Sequence, residues 1–345
     1  MSDNKMEYVR LGNSGLKVSR VILGTMSYGT SQWQPWVLDE DASLPLLKHA
    51  YDVGINTWDT ADIYSHGASE RLIAKAIEKY SIPRSKLVIL SKCYFGVTEE
   101  DPSAPIAACS VNDGDYVNRV GLSRKHIFEA VEESIKRLGT YIDVLQIHRL
   151  DRETPMDEIM KALNDVVEKG WVRYIGASSM AAWEFQMLQN IAEKNGWHKF
   201  ISMQNYYNLL YREEEREMIP YCNATNVGLI PWSPIARGAL TRPWSERTNT
   251  KRGETDRFLH HLVHSREDEI DKEIIQRVEE VAKKNNVSMA CVATAWCIQK
   301  GVCPIIGLGS KERIDEAVKN SKFKLKDEEI KFLEEKYRPK ERQGF

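Results

Sequence analysis

Gly54-Ile-Asn-Thr-Trp-Asp-Thr-Ala-Asp-Ile-Tyr64 is the stretch on which the reading of this chain turns. Ile55–Ala61 has the length and apolar character of one buried strand, yet Asp59 stands near its end and Tyr64 lies just past it. A buried carboxylate is costly unless something pairs with it. The stretch therefore predicts a strand whose C-terminal end does chemistry.

Working outward, runs of the same kind recur at Val18–Thr25, Leu87–Lys92, Ile142–His148, Val172–Ser178, Ile201–Tyr206, Gly228–Ser233 and Val302–Leu308, eight with the first. They are β-branched or apolar at nearly every position, as strands covered on both faces are. Amphipathic patterns fill the intervals. Leu72, Ile73, Ala76, Ile77 and Tyr80 form one stripe, Ile127, Val131, Ile135 and Leu138 another, and Met156, Ile159, Met160, Leu163, Val166 and Val167 a third. Each keeps the period of a helix lying on a sheet. Gly139 and Gly170 stand where a helix end wants positive φ.

Strands alternating with helices imply a parallel sheet, and eight such units favour closure into a (β/α)8 TIM barrel. The competing architecture, an open doubly wound sheet, carries a glycine-rich phosphate turn after its first strand. Here the first strand ends Gly24-Thr25-Met26-Ser27, and no G-x-G-x-x-G occurs. The prediction is an α/β barrel forming a single domain over residues 1–345. Tyr8–Leu11 and Leu16–Val18, flanking Gly12-Asn13-Ser14-Gly15, predict an N-terminal β-hairpin over residues 8–18. It cannot join a parallel barrel, so it is expected to cover the barrel's N-terminal end.

The 345 residues are 42% hydrophobic and 28% charged, with a formal net charge of −2. No overall positive field draws such a chain to nucleic acid or acidic lipid. The first residues, Met-Ser-Asp-Asn-Lys, hold no apolar signal core, and no apolar run reaches the roughly 18 residues of a membrane span. The six cysteines show no paired framework. The expectation is a cytoplasmic protein with no membrane or nucleic-acid partner, its oligomeric state left open.

Three connections are long, about Met26–Asp41, Cys93–Leu122 and Pro234–Ile270, the last following strand seven. All three follow a strand, which places them on the C-terminal face where barrel active sites sit. They read either as active-site walls or as tolerated insertions. On the same face, Asp59, Tyr64, Lys92 and His148 close consecutive strands, and this is the predicted catalytic set. An ammonium beside a tyrosine lowers the phenol from its usual pKa of about 10. An aspartate would hold that ammonium charged and in place. The phenol could then exchange a proton near neutral pH, while a histidine orients a carbonyl oxygen. That is half of carbonyl reduction. The hydride must come from a nicotinamide.

With these residues in place, the chain resembles the aldo-keto reductase superfamily over nearly its whole length. Gly54–Tyr64 is similar to the family signature around its aspartate and tyrosine. Leu87–Lys92 resembles the segment ending in its lysine, and Tyr141–His148 the one ending in its histidine. The resemblance is nearest to the fungal aryl-alcohol dehydrogenase-like branch, which is also similar to potassium-channel β subunits. It implies NADPH/NADP+ as cofactor and a small-molecule carbonyl substrate, an aldehyde or ketone, with aryl aldehydes as a candidate class. The runner-up activity is a nicotinamide-sensing binding module.

The resemblance also implies cofactor contacts. Gly24, Thr25 and Met26 would approach the nicotinamide, with Asp59 beside them. Ser178 and Ser179 match a Ser-Asn pair that holds the carboxamide, and Ser179 departs from the asparagine. Gln204 matches the amide-binding glutamine, and Trp232 an aromatic ring stacked on the nicotinamide. Ser233, Pro234, Ile235, Arg237, Gly238 and Leu240 match the pyrophosphate loop. Gly307, Gly309, Ser310, Lys311, Arg313 and Glu316 resemble the adenosine-phosphate site. Read as residues alone, Gly307–Arg313 is a glycine-rich turn opening a helix with cations in its first turn, which suits either a phosphate or an ordinary connection with solvated charges.

Tyr28, Trp33 and Trp36 in the first long loop are candidate substrate-pocket residues, or loop packing. His260, His261 and His264 have no evident third ligand, so no metal site is expected. Cys93 follows Lys92, with nothing to show that it is reactive.

Overall fold

The computed structural model of the chain describes residues 6–246 and 248–343. The hairpin pairs β1 (Tyr8–Arg10) with β2 (Lys17–Ser19) antiparallel, Val9 opposite Val18. Eight parallel strands follow, β3 (Ile22–Gly24), β4 (Thr57–Asp59), β5 (Val88–Cys93), β6 (Ile142–Ile147), β7 (Val172–Ser178), β8 (Phe200–Gln204), β9 (Gly228–Leu229) and β10 (Ile305–Ile306). They run in sequence order around the sheet, with β10 beside β3. Backbone bonds from Cys303 to Leu229 and from Ile305 to Pro231, both 2.9 Å, and a parallel bridge between Trp232 and Ile305 close the ring. The fold is the predicted (β/α)8 barrel.

Two strand predictions change in detail. Val18–Thr25 is two elements, the second hairpin strand and the first barrel strand. They part at Arg20-Val21, where Ser19 Oγ donates to the Val21 carbonyl at 2.7 Å. An apolar run cannot show a change of partner. The strands at the closing seam are shorter than expected, because Pro231 and Pro304 flank them and lack the N–H that a ladder requires.

The helices are α1 (Glu40–Asp52), α2 (Ala68–Lys79), α3 (Arg124–Leu138), α4 (Met156–Glu168), α5 (Ala182–Asn195) and α6 (Met218–Ala224), then α7 (Lys251–Thr255), α8 (Arg257–Leu262), α9 (Glu269–Asn285) and α10 (Met289–Gln299), and after β10 α11 (Lys311–Asn320) and α12 (Asp327–Glu334). α3 shows how they are bounded. Ser123 Oγ accepts from the His126 N–H at its start, and Gly139 ends it at φ 65°. α10 is apolar almost all round because it packs between α9 and α11.

Side-chain alternation builds the barrel interior. Val88, Leu90 and Lys92 share one face of β5, and Val144 and Gln146 share the matching face of β6, leading to His148. The lower interior is an apolar cluster of Ile22, Val88, Leu90, Val144, Ile230, Cys303 and Ile305, and Leu11 and Val18 of the hairpin seal it from below. Gly12 sits against the barrel at φ +57°, where a Cβ would come within 2.5 Å of the Gly228 nitrogen. The upper interior is polar, so the gradient along the barrel axis presents the site at the C-terminal mouth.

Candidate active site

Lys92 is 1% exposed and spends its three ammonium donors inside the barrel. Nζ lies 2.5 Å from Asp59 Oδ1, 2.8 Å from the Thr60 carbonyl and 3.3 Å from Tyr64 Oη. The other carboxylate oxygen of Asp59 accepts from Gln146 Nε2 at 3.0 Å and Gln204 Nε2 at 2.9 Å. Gln204 also donates to Gln146 Oε1 at 2.8 Å. A buried ion pair is tolerable only when its remaining lone pairs and protons are satisfied, and these two amides complete it.

Burial works against the charge on Lys92, but Asp59 and Tyr64 outweigh it, so the ammonium's pKa is raised. Burial pushes the Tyr64 phenol up, and Lys92 offsets only part of that rise. The expected net lowering of Tyr64 is therefore corrected. The lysine acts in the expected direction, but removal of the phenol from water is the larger effect. Tyr64 is held protonated. Burial, reinforced by Lys92 and Arg149, pushes His148 well below the usual histidine range. Its ring is a neutral imidazole, 5.9 Å from Tyr64 in an edge-on contact and 5.0 Å from Phe95. His148 Nδ1 is buried without a partner among the described residues.

The residues expected at a nicotinamide divide by what their side chains already do. Gly24 packs on Ile305. Thr25 is fully buried, with its hydroxyl on the Asp59 carbonyl and Ser69, so it ties β3 to β4 and α2. Met26 is half-buried and packs on the Tyr64 cluster. Ser178 Oγ donates to the Gln204 carbonyl at 2.8 Å, while Ser179, at φ 40°, accepts from Trp232 Nε1 at 3.2 Å. One face of Trp232 is stacked on Tyr206 at 4.5 Å, and Tyr206 rests on Tyr211. Trp232 is itself half-buried.

Ser233, Ala236, Arg237 and Gly238 all have positive φ. Within the turn the Ala236 N–H donates to the Ser233 carbonyl and the Gly238 N–H to the Ile235 carbonyl, both at 2.9 Å, so its own backbone holds it tight. Pro234 and Leu240 are buried beneath it, and Ile235 is half-buried. The Arg237 guanidinium is taken by Asp256, 2.6 Å from Nη2. What Arg237 presents to this turn is its backbone. Across the mouth, Gly307 and Gly309 are exposed, and Ser310 caps α11 by accepting from the Arg313 N–H. Lys311 and Arg313 are exposed in its first turn, and Glu316 is half-buried one turn on.

Trp33 stands 6.3 Å from Tyr64, and Trp33 and Trp36 cluster with Ile63, Tyr64 and Phe95. Tyr28 does not join them. It is fully buried in the main core, its hydroxyl bonded to the Leu308 carbonyl, so its assignment to the pocket is withdrawn. Trp36 also stacks under Arg252, 4.2 Å from its ring, which links the first and third long loops. Cys93 is buried, and burial beside Asp62 and Glu70 pushes its thiol well up, leaving it unreactive. His264 Nδ1 lies 2.8 Å from Glu267.

Three residues of the site escaped the sequence reading. Gln146 lies two positions before His148, and that spacing was its signal. Tyr206 backs Trp232, and nothing local marks it. Arg242 approaches Gly238 and Arg313, and burial and Arg313 both lower its pKa. Neither arginine has an ion pair among the described residues.

This barrel, with a buried Asp-Lys-Tyr cluster and a histidine at its C-terminal mouth, defines a family. The chain belongs to the aldo/keto reductase family, whose model matches residues 20–338. It is 65% identical over 338 residues to versiconal hemiacetal acetate reductase of Aspergillus parasiticus, covering 97% of this chain and 98% of the relative. It is 56% identical over 345 residues to a protein of Schizosaccharomyces pombe provisionally named an aryl-alcohol dehydrogenase, covering 98% and 97%. An aldo-keto reductase of Alternaria alternata is 51% identical over 345 residues, covering 98% and 93%. The family's chemistry is oxidoreduction of carbonyls and alcohols with a nicotinamide cofactor. No helix among the described residues is long and apolar enough to cross a membrane.

Proposed function

We propose that the chain reduces aldehydes or ketones to alcohols with NADPH, aryl aldehydes being the substrate class to try first, and that Tyr64 delivers the proton. The observation that carries this is Lys92 Nζ lodged between Asp59 Oδ1 at 2.5 Å and Tyr64 Oη at 3.3 Å. Bound NADPH would supply the hydride. The residues present fit that cofactor. Trp232 has one face stacked on Tyr206, leaving the other for a nicotinamide; the tight turn at Ser233–Gly238 matches the family's pyrophosphate loop; and Arg242 and Arg313, without an ion pair among the described residues, suit the 2′-phosphate.

The protein's own part is proton transfer and orientation. Tyr64 donates from Oη to the substrate oxygen as negative charge develops there, and the adjacent Lys92 ammonium stabilises the phenolate left behind. Asp59 keeps Lys92 charged and fixed. Neutral His148 hydrogen-bonds the substrate oxygen and orients it without competing as an acid. A phenol held protonated suits reduction. The name of the Aspergillus relative makes a hemiacetal the reduced compound, and a hemiacetal opens to a carbonyl. In the same reading the chain works in the reducing cytoplasm, consistent with six free, buried cysteines.

Loss of NADPH absorbance in the presence of a panel of aromatic and aliphatic aldehydes, with NADH in parallel, tests this reading. Turnover with NADPH supports it. Tight NADPH binding with no turnover on any member would instead describe a nicotinamide-sensing module.

A further inference from the structure

Arg149 follows His148 at the end of β6 and is a half-buried charge at the catalytic mouth without a counter-charge among the described residues. Its Nη1 folds back onto the His148 carbonyl at 2.6 Å, and no carboxylate of the described residues lies within ion-pair distance. Elsewhere the chain pairs its buried arginines. Arg137 meets Glu70, Arg84 meets Asp143 and Arg237 meets Asp256, each at 2.6 Å. The nearest acid in sequence, Asp151, is already occupied by the Leu122 N–H, the Thr154 hydroxyl and the Glu153 N–H. Arg152 turns away to Glu184.

Anchored on the His148 carbonyl, the Arg149 guanidinium stands close enough to Tyr64, His148 and Tyr94 for its charge to act on all three, which sets it at the reacting end of the pocket. It is only partly exposed, and burial pulls its pKa down to about 10. On the first long loop, Trp33 stands 6.3 Å from Tyr64 and adds donors to the same pocket. Trp33 Nε1, 4% of the residue being exposed, and Trp36 Nε1 are buried with no acceptor among the described residues. An uncompensated guanidinium and orphaned indole N–H groups are costly in a desolvated wall. A ligand that brings anionic oxygen removes that cost.

Resting on the carbonyl-reductase reading of the same site, we propose that Arg149 is a substrate-binding residue that selects carbonyl compounds bearing a carboxylate or an ionised phenol. The guanidinium fork takes the anionic oxygen, while Tyr64 and His148 take the carbonyl. Arg149 would act in substrate recognition, distinct from the cations that face the cofactor phosphate.

The test compares wild type with Arg149→Met and Arg149→Lys on para-carboxybenzaldehyde and on its neutral match, methyl para-formylbenzoate. The ratio of kcat/KM between the two substrates should fall about tenfold or more in Arg149→Met, the loss expected of one charge-assisted hydrogen bond. Arg149→Lys should recover part of it, since the charge remains without the fork. In parallel, benzoate is titrated into each protein and followed by tryptophan fluorescence, which requires no turnover. Benzoate should bind Arg149→Met about tenfold more weakly, with NADPH affinity much less affected. An unchanged substrate ratio, equal benzoate binding, or an equal loss of NADPH affinity overturns the proposal. Arg149-dependent benzoate binding without reduction of any aldehyde would overturn the reductase reading, and with it Arg149's role in choosing a carbonyl substrate, while leaving Arg149 as an anion-binding residue. Should Arg149→Met fail to fold, the same comparisons on Arg149→Lys decide.

Discussion

Gln204 Nε2 donates to Asp59 Oδ2 at 2.9 Å, although 145 residues separate the two in sequence. A residue expected at the cofactor is thus already part of the buried ion pair. Gln204→Leu should lower the stability of the cofactor-free protein by about 1.5–3 kcal/mol, the usual value of a hydrogen bond to a charged group. Urea unfolding without NADPH checks this. An unchanged midpoint would mean that Gln204 serves the cofactor alone.

Tyr64→Phe should reduce turnover by about 10²–10⁴-fold, the usual contribution of a positioned acid, while NADPH binding stays near that of wild type. Retention of more than about a tenth of the activity would remove Tyr64 as proton donor.

Burial raises the Tyr64 phenol and holds His148 neutral, so pH should separate the two directions of reaction. Reduction needs the protonated phenol and should stay level as pH rises through neutral to about 9, since an ordinary phenol titrates near 10. Alcohol oxidation needs the phenolate and should climb over the same range. Steady-state profiles in both directions check it. A reductive profile falling through neutral pH would place the phenol's pKa below its usual value and contradict the burial argument.

Lys92→Met should remove activity and also leave Asp59 buried without a counter-charge. Breaking a buried pair on one side costs about 3–5 kcal/mol. The double variant Asp59→Asn with Lys92→Met should recover much of that stability and none of the turnover. Denaturant unfolding and kinetics of both proteins check it. A double variant no more stable than the single one would show that the buried charge was not the source of the loss.

Arg242→Ala with Arg313→Ala should weaken NADPH binding by about tenfold or more, and NADH binding by much less, as expected for lost charge-assisted contacts to a phosphate. Fluorescence titration with both cofactors measures it. Equal losses would place these guanidinium groups away from the 2′-phosphate.

The sequence by itself determined the barrel, the hairpin and the positions of Asp59, Tyr64, Lys92 and His148 at strand ends. Periodicity is local: an apolar run and a helical stripe each declare themselves within a dozen residues, and a polar residue closing an apolar run stands out without any knowledge of its partners. Tertiary structure alone decided what those partners are. Gln146 and Gln204 meet Asp59 only because the sheet closes and turns their strands to one interior. Tyr28 left the pocket because its hydroxyl finds the Leu308 carbonyl, 280 residues away. Arg237 turned to Asp256, while Arg242 and Arg149 form no ion pair among the described residues. The direction of the Tyr64 shift belongs with these, since it depends on how completely the folded loops exclude water. Pairing and desolvation are properties of the enclosed volume, and no local pattern in the chain encodes them.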